Sequence, residues 1–157
     1  MRRFRNVRLQ IGVIGIDSGQ AMVCDPCYVD GQWKNKEFDV EREYKVVSGP
    51  NAGLVIDMSG RRFDLKMDEL GMTMNEAVQR RVVEQMPHER THEFSYDGAC
   101  RETLSEEMAG QLNYAMGHAG VAVVFSTGYG DGEYPVYATY NNDGRISKVE
   151  ILFDEEE

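Results

Sequence analysis

The apolar run VAVVF, residues 121 to 125, most limits what this chain can build. It is short, β-branched and bounded by Gly120 and by Ser126-Thr127-Gly128, the pattern expected of a central strand buried on both faces. YPVYATY and RISKVEILF follow as further extended runs. YNNDGRI joins them, and its Asp143-Gly144 step tolerates the positive φ that a twist-compatible hairpin requires. The C-terminal third is therefore predicted as a three-stranded antiparallel meander. At the other end, residues 7 to 16 and 20 to 24 read as two extended segments around the Asp17-Ser18-Gly19 turn, predicted as an N-terminal hairpin. Short strands are expected near residues 44 to 47 and 53 to 56, and EFSY after His92 reads as another.

One helix is signalled clearly. Thr73 and Glu76 have the spacing of a capping box, and Met74, Ala77, Val78, Val82 and Met86 recur at helical spacing until Pro87. The predicted class is α+β, predominantly antiparallel β, with one sheet-packed amphipathic helix over about residues 73–86 and a C-terminal β-meander. With 157 residues and 41% apolar content, one core is expected. Residues 1–157 thus read as a single domain with a basic N-terminal arm (1–8) and an acidic C-terminal tail (154–157).

Charge narrows the partners. The formal net charge is -10, and the first eight residues hold four arginines and no acid, so the remainder carries -14. Such a body repels phosphate backbones, which argues against duplex nucleic acid as a general partner. No apolar run approaches the ~20 residues that span a bilayer, and MRRFRNVRLQ followed by IGVIGID lacks the features of a secretory signal. Three cysteines, Cys24, Cys27 and Cys100, suit thiols in a reducing compartment better than a disulfide framework. A cytoplasmic protein without membrane contact is expected.

CDPCYVD, residues 24 to 30, raises three possibilities: metal knuckle, redox pair or tight turn. A structural zinc site needs four ligands, and no second cysteine pair exists. Cys100 with His88, His92 or His118 completes a set only through long-range folding, so no metal and no cofactor are predicted. A redox pair wants a helix start to lower the thiol pKa. Tyr28-Val29-Asp30-Gly31-Gln32-Trp33 reads as opening none. HERTH, residues 88 to 92, matches HExxH formally, yet Pro87 precedes it and an extended run follows, so the helix that would align the two histidines is missing. STGYGDGEYPVY, residues 126 to 137, places Gly128, Gly130 and Gly132 around Tyr129 and Asp131. Two readings stay open for it: a tight turn in which Asp131 bonds backbone amides, or a loop whose backbone approaches a ligand.

GIDSGQAMVCDPCYV together with GHAGVAVVFSTGYGDGEYPVYATYNNDGRISKVEILF resembles a family of small uncharacterised proteins of bacteria and their phages, built with a DPCY segment near the start and a GYGDGxYPV segment near the end. The resemblance covers residues 12 to 29 and 92 to 153 and implies a shape without a chemistry. In its terms the first segment is Asp25-Pro26-Cys27-Tyr28, and Cys24 falls outside it, which favours the turn.

The DPCY turn and the GYGDG loop are then expected to meet and line a small pocket. Asp25, Tyr28, Tyr129, Asp131 and Tyr134 would contact a small polar ligand or a partner protein segment. A cysteine-dependent hydrolase or transferase using Cys27 as nucleophile, His118 as base and Asp131 or Asp25 as orienting acid is the alternative. A structural or interaction protein without a pocket is the third reading.

Overall fold

The computed structural model describes residues 7–39, 42–113 and 120–154. It is an α+β protein of antiparallel sheets and short helices, the class expected. Strands β1 (Val7–Ile16) and β2 (Gln20–Cys24) form where predicted but do not pair with each other. β1 pairs with β10 (Gly132–Tyr140), and β2 pairs with β9 (Ala122–Ser126). Asp17-Ser18-Gly19 is thus a corner in one long bent strand, which passes from one sheet to the next. A second corner, residues 127–131, lies opposite it, since Ile16 faces Gly132 and Gln20 faces Ser126. Ile16, Ala21 and Tyr134 are buried at this bend, with Phe125 and Phe153 packed on them.

The C-terminal strands run antiparallel in succession. β10 and β11 (Ile146–Ile151) form the hairpin that Asp143-Gly144 signals, with Gly144 at φ +77°. Asn141 Oδ1 accepts from the amides of Asp143 (3.0 Å) and Arg145 (2.9 Å), closing the turn. β9 departs from expectation in its partners and its burial. It is the middle strand between β2 and β8 (Ala109–Leu112), covered along one face and, on the other, only at its Phe125 end. Ala122 and Val124 are buried, while Val123 pairs with Val23 on an open face.

Residues 42–86 build a separate set of elements. β3 (Glu43–Val46) lies between β4 (Val55–Asp57) and β7 (Val83–Gln85), and β5 (Lys66–Met67) pairs with β6 (Met72–Thr73). Helix α2 (Met74–Gln79) starts with the expected capping box: Thr73 Oγ1 accepts from Glu76 N at 3.1 Å, and Glu76 Oε2 from Thr73 N at 2.8 Å. Met58, Met67 and Met74 fill the core with Val46, Ile56, Ala77 and Val83. The helix is shorter than the apolar spacing predicts. Arg81 turns to φ +55°, and Val82 N donates to Ala77 O while Arg81 N donates to Val78 O, a Schellman termination. Sheet pairing then overrides helical periodicity, because Val83 lies opposite Val46 in the ladder.

Helix α3 (Tyr96–Thr103) occupies a stretch partly read as strand. Ser95 caps it, accepting from Gly98 N at 3.0 Å, and Arg101 reaches back one turn to Asp97. It packs on β8 and β9, where Phe94, Ala99, Leu112, Ala122 and Val124 form the core. Gly98 lets the helix approach the preceding backbone: a Cβ there would overlap the carbonyl of Glu93. Among the described residues no helix is long and apolar enough to cross a membrane. Gly98→Ala is expected to destabilise by about 1–3 kcal/mol through overpacking, even though alanine is the better helix former by about 1 kcal/mol. Urea denaturation checks this, with Gly31→Ala as control, since nothing lies within 4 Å of a Cβ at Gly31. Equal stability of the two variants would contradict the close-approach account.

Candidate functional site

The GYGDG loop is folded onto the other corner. Asp131 Oδ1 accepts from Gly19 N at 2.9 Å, and Gly19 O accepts from Thr127 N at 2.9 Å. Gly130 O accepts from Thr127 Oγ1 (2.8 Å) and Tyr134 Oη (2.9 Å), and Tyr129 Oη donates to Asp154 Oδ2 at 2.8 Å. Gly19, Gly128 and Gly130 hold φ of +64°, +77° and +82°, which an L side chain rarely adopts. Of the two readings of this loop, these bonds match the tight turn. Tyr134 is only 7% exposed, and its hydroxyl is spent on the loop's own carbonyl.

The DPCY segment is a capped turn, as its residues imply. Asp25 Oδ1 accepts from Cys27 N at 3.0 Å, Pro26 opens a 3₁₀ turn, and Tyr28 packs beside Trp33 on the α3 core. A single turn of helix, α1 (Val29–Gln32), does follow, contrary to expectation. It does not activate the thiol. Partial desolvation, then the hydrogen bond and charge of Asp25, push the Cys27 pKa up. The three cysteines are free thiols.

The two motifs do not meet. DPCY follows Cys24, which pairs with Ala122, whereas GYGDG follows Ser126, which pairs with Gln20. The two segments leave opposite ends of the β2–β9 ladder, about 13 Å apart at ~3.3 Å per residue. Cys27 and Asp131 are therefore not brought together, and His118 lies outside the described residues. Nor does HERTH form a helix; it is an irregular segment between β7 and α3. Among the described residues no group of three or more His, Cys, Asp or Glu is placed to hold a metal ion.

That irregular segment instead borders a cleft of about 400 Å³, lined by Gln32, Lys34, Lys36, Thr91, His92, Glu93, Phe94 and Asn113. Residues after α1 run beside it, with Lys34 N donating to Phe94 O at 2.9 Å. Lys34 Nζ stands 2.8 Å from Glu93 Oε1, and Lys36 Nζ bridges Glu93 (3.4 Å) and Asp97 (2.9 Å). The Lys34 contact, with Ser95 and Lys36, holds the Glu93 pKa below its ordinary value; the Asp97 hydrogen bond raises that of Lys36.

Behind the cleft lies a buried charge. Glu102 is 0% exposed, and its Oε2 accepts from Arg90 Nε at 2.7 Å and also meets the Arg90 Nη2 group. His92 Nδ1 stands 2.7 Å from Glu102 Oε1, without the alignment of a hydrogen bond. His92 holds φ +54°, uncommon for a residue other than glycine. Gly110 makes room for the pair, since a Cβ there would overlap the Glu102 carboxylate. Sequence reading missed Lys34, Lys36, Arg90 and Glu102, and weighed His92 only as a zinc ligand. The Ser95 cap before Asp97 and Arg101 was the available signal for α3, and with it for Glu102.

The molecule is thus an antiparallel α+β protein with a polar cleft backed by a buried carboxylate. The chain belongs to DUF4241, a protein family of unknown function, which matches residues 12–151. That span takes in the middle of the chain, which the resemblance had left out. No curated protein and no solved structure matches the chain.

Two outcomes are expected. Asp131→Ala should cost about 1 kcal/mol of unfolding free energy, as loss of a capping acceptor does, and Asp131→Asn less, because an oxygen still faces Gly19 N; an Asp131→Ala protein as stable as the parent would show that the corner does not need the carboxylate. Cys27 should alkylate with iodoacetamide near pH 7 more slowly than an ordinary exposed thiol, and faster in Asp25→Asn, as followed by mass spectrometry. Rapid labelling of Cys27 in the parent would revive the nucleophile.

Proposed function

We propose that the protein is a binding module for a small polar ligand, and that the ligand seats in the cleft between Lys34, Lys36, His92 and Asn113. The pocket expected between DPCY and GYGDG gives way to this one, because Asp131 and Tyr134 bond within the corner, Tyr129 bonds Asp154 and Asp25 caps its own turn. Tyr28 retains an indirect part, packing on the core that includes Phe94 of the cleft wall.

The carrying observation is the fully buried Glu102 behind His92. A buried ion pair is a poor source of stability, and apolar replacement is often neutral or better. Here it turns one edge of an imidazole toward a fixed carboxylate and leaves Nε2 as the nitrogen free to meet a ligand. The lining also suits an anion. Its charged side chains are Lys34, Lys36 and Glu93, a net of one positive charge with His92 neutral, in a chain whose net charge is -10. Gln32 and Asn113 add amide donors beside them. A ligand carrying a carboxylate or phosphate would draw Lys34 away from Glu93 at small cost, since both groups reach solvent. A bacterial or phage accessory role fits such a module.

Nuclear magnetic resonance titration tests this with inorganic phosphate, citrate and adenosine monophosphate up to 10 mM. At least one is expected to shift the backbone amides of Thr91, Phe94 and Asn113, and the shifts should vanish in the Lys34→Ala/Lys36→Ala protein, whose folding circular dichroism would verify. Amides unmoved by all three probes would favour the scaffold reading. Shifts centred on Cys27 would favour the cysteine-dependent one.

A further inference from the structure

We propose that two copies of the chain associate edge to edge through β1, whose outer side has no strand partner among the described residues. β1 is the longest strand, ten residues, and from Leu9 to Ile16 it carries no charge and no proline. Leu9, Ile11 and Val13 are 40%, 51% and 54% exposed. Open edges are ordinarily blunted by charge, proline, shortness or a bulge, and of these β1 has only the irregularity between Gln10 and Gly12. The other outer strands follow that rule: β11 carries Lys148 and Glu150, and β2, β4, β7 and β8 have three to five residues each. Leaving a long, uncharged edge open invites a strand to add to it.

The occupant that fits is a second copy of the same strand. Copies with a net charge of -10 repel each other, and β1 is a long surface on which that charge is absent. Antiparallel pairing about a two-fold axis is self-complementary, as an isologous contact must be. With the axis near Gly12, Arg8 of each copy lies opposite Ile16 of the other, next to its Asp17, so the one base and the one acid flanking the uncharged run fall together. The nine residues that then overlap, Arg8 to Ile16, span about 30 Å and offer about nine inter-strand hydrogen bonds, within the range of an ordinary protein interface. The product is a continuous six-stranded sheet, β11-β10-β1 joined to its symmetry mate. Ile11 stands next to the axis, one residue from Gly12.

Light scattering coupled to size exclusion, at 5 to 100 µM protein and physiological salt, decides the matter. The chain should run at twice its 17.8 kDa mass, and Ile11→Lys should return it to the monomer with its circular dichroism unchanged. Val13→Lys makes the same test should Ile11→Lys fail to fold. Val149→Lys, on β11 of the same sheet and 54% exposed, should stay dimeric. In the parent, amide exchange over residues 9–15 should slow as concentration rises. A monomeric parent at 100 µM, a dimer that survives the β1 lysines, or dissociation by Val149→Lys would each overturn the edge contact. None of these readings depends on the cleft.

Discussion

The bond from Gly19 N to Asp131 Oδ1 sits where the two halves of the β-structure are joined. Without it and its neighbour, Thr127 N to Gly19 O, β1 and β2 would be one strand against β9 and β10, and the ladder would run straight. A straight ladder has no inside. By opposing three residues with five, the double corner folds one ribbon into two sheets and traps Ile16, Ala21 and Tyr134 in the bend. The glycines on both sides are needed at that point because the chain reverses through positive φ. Asp131 of GYGDG is thus engaged by the facing corner through Gly19 N, and Tyr129 by Asp154 beyond β11.

The bend also determines where chemistry has room. Directing β9 to pair with β2 and β8 puts one face of that sheet under α3, and α3 carries Asp97, Arg101 and Glu102 inward. Three charged side chains on a buried helix face are costly unless each finds a partner. Asp97 finds Arg101 and Lys36, and Glu102 finds Arg90. Lys36 and Arg90 come from the segments before and after the middle elements, so their ion pairs tie those segments to the helix. The cleft is the gap these tethers leave, and its walls are set by charge pairing more than by apolar packing.

Local signals were legible and long-range ones were not. Asp25 as a turn cap, the Thr73–Glu76 box and the Asp143-Gly144 hairpin each depend on residues within four positions, and all three stand in the structure. Both N-terminal strands were visible in their residues, but their partners lie about a hundred or more positions away, and nothing in Asp17-Ser18-Gly19 distinguishes a corner from a hairpin. The α2 helix stops early because Val83 is claimed by Val46, another distant pairing. The site was hidden for the same reason. Arg90 and His92 lie in HERTH but Lys34 and Glu102 belong to no motif with them, and only the packing of α3 on β8 makes Glu102 a buried carboxylate instead of a solvated one.

The distribution of charge then separates the two roles of the surface. The described ion pairs at the cleft join basic groups of one segment to acids of another, so a ligand that arrives there exchanges one polar partner for another and need not find an open hydrophobic surface. The β1 edge is the opposite case. From Leu9 to Ile16 the strand itself carries no charge, and Leu9, Ile11 and Val13 are exposed, so contact there is driven by pairing of amides and removal of apolar surface. The corner keeps these regions apart: β1 leaves it in one sheet, while the cleft is built on the other. Association through β1 therefore leaves the cleft accessible in both copies, and a paired molecule would present two equivalent polar sites.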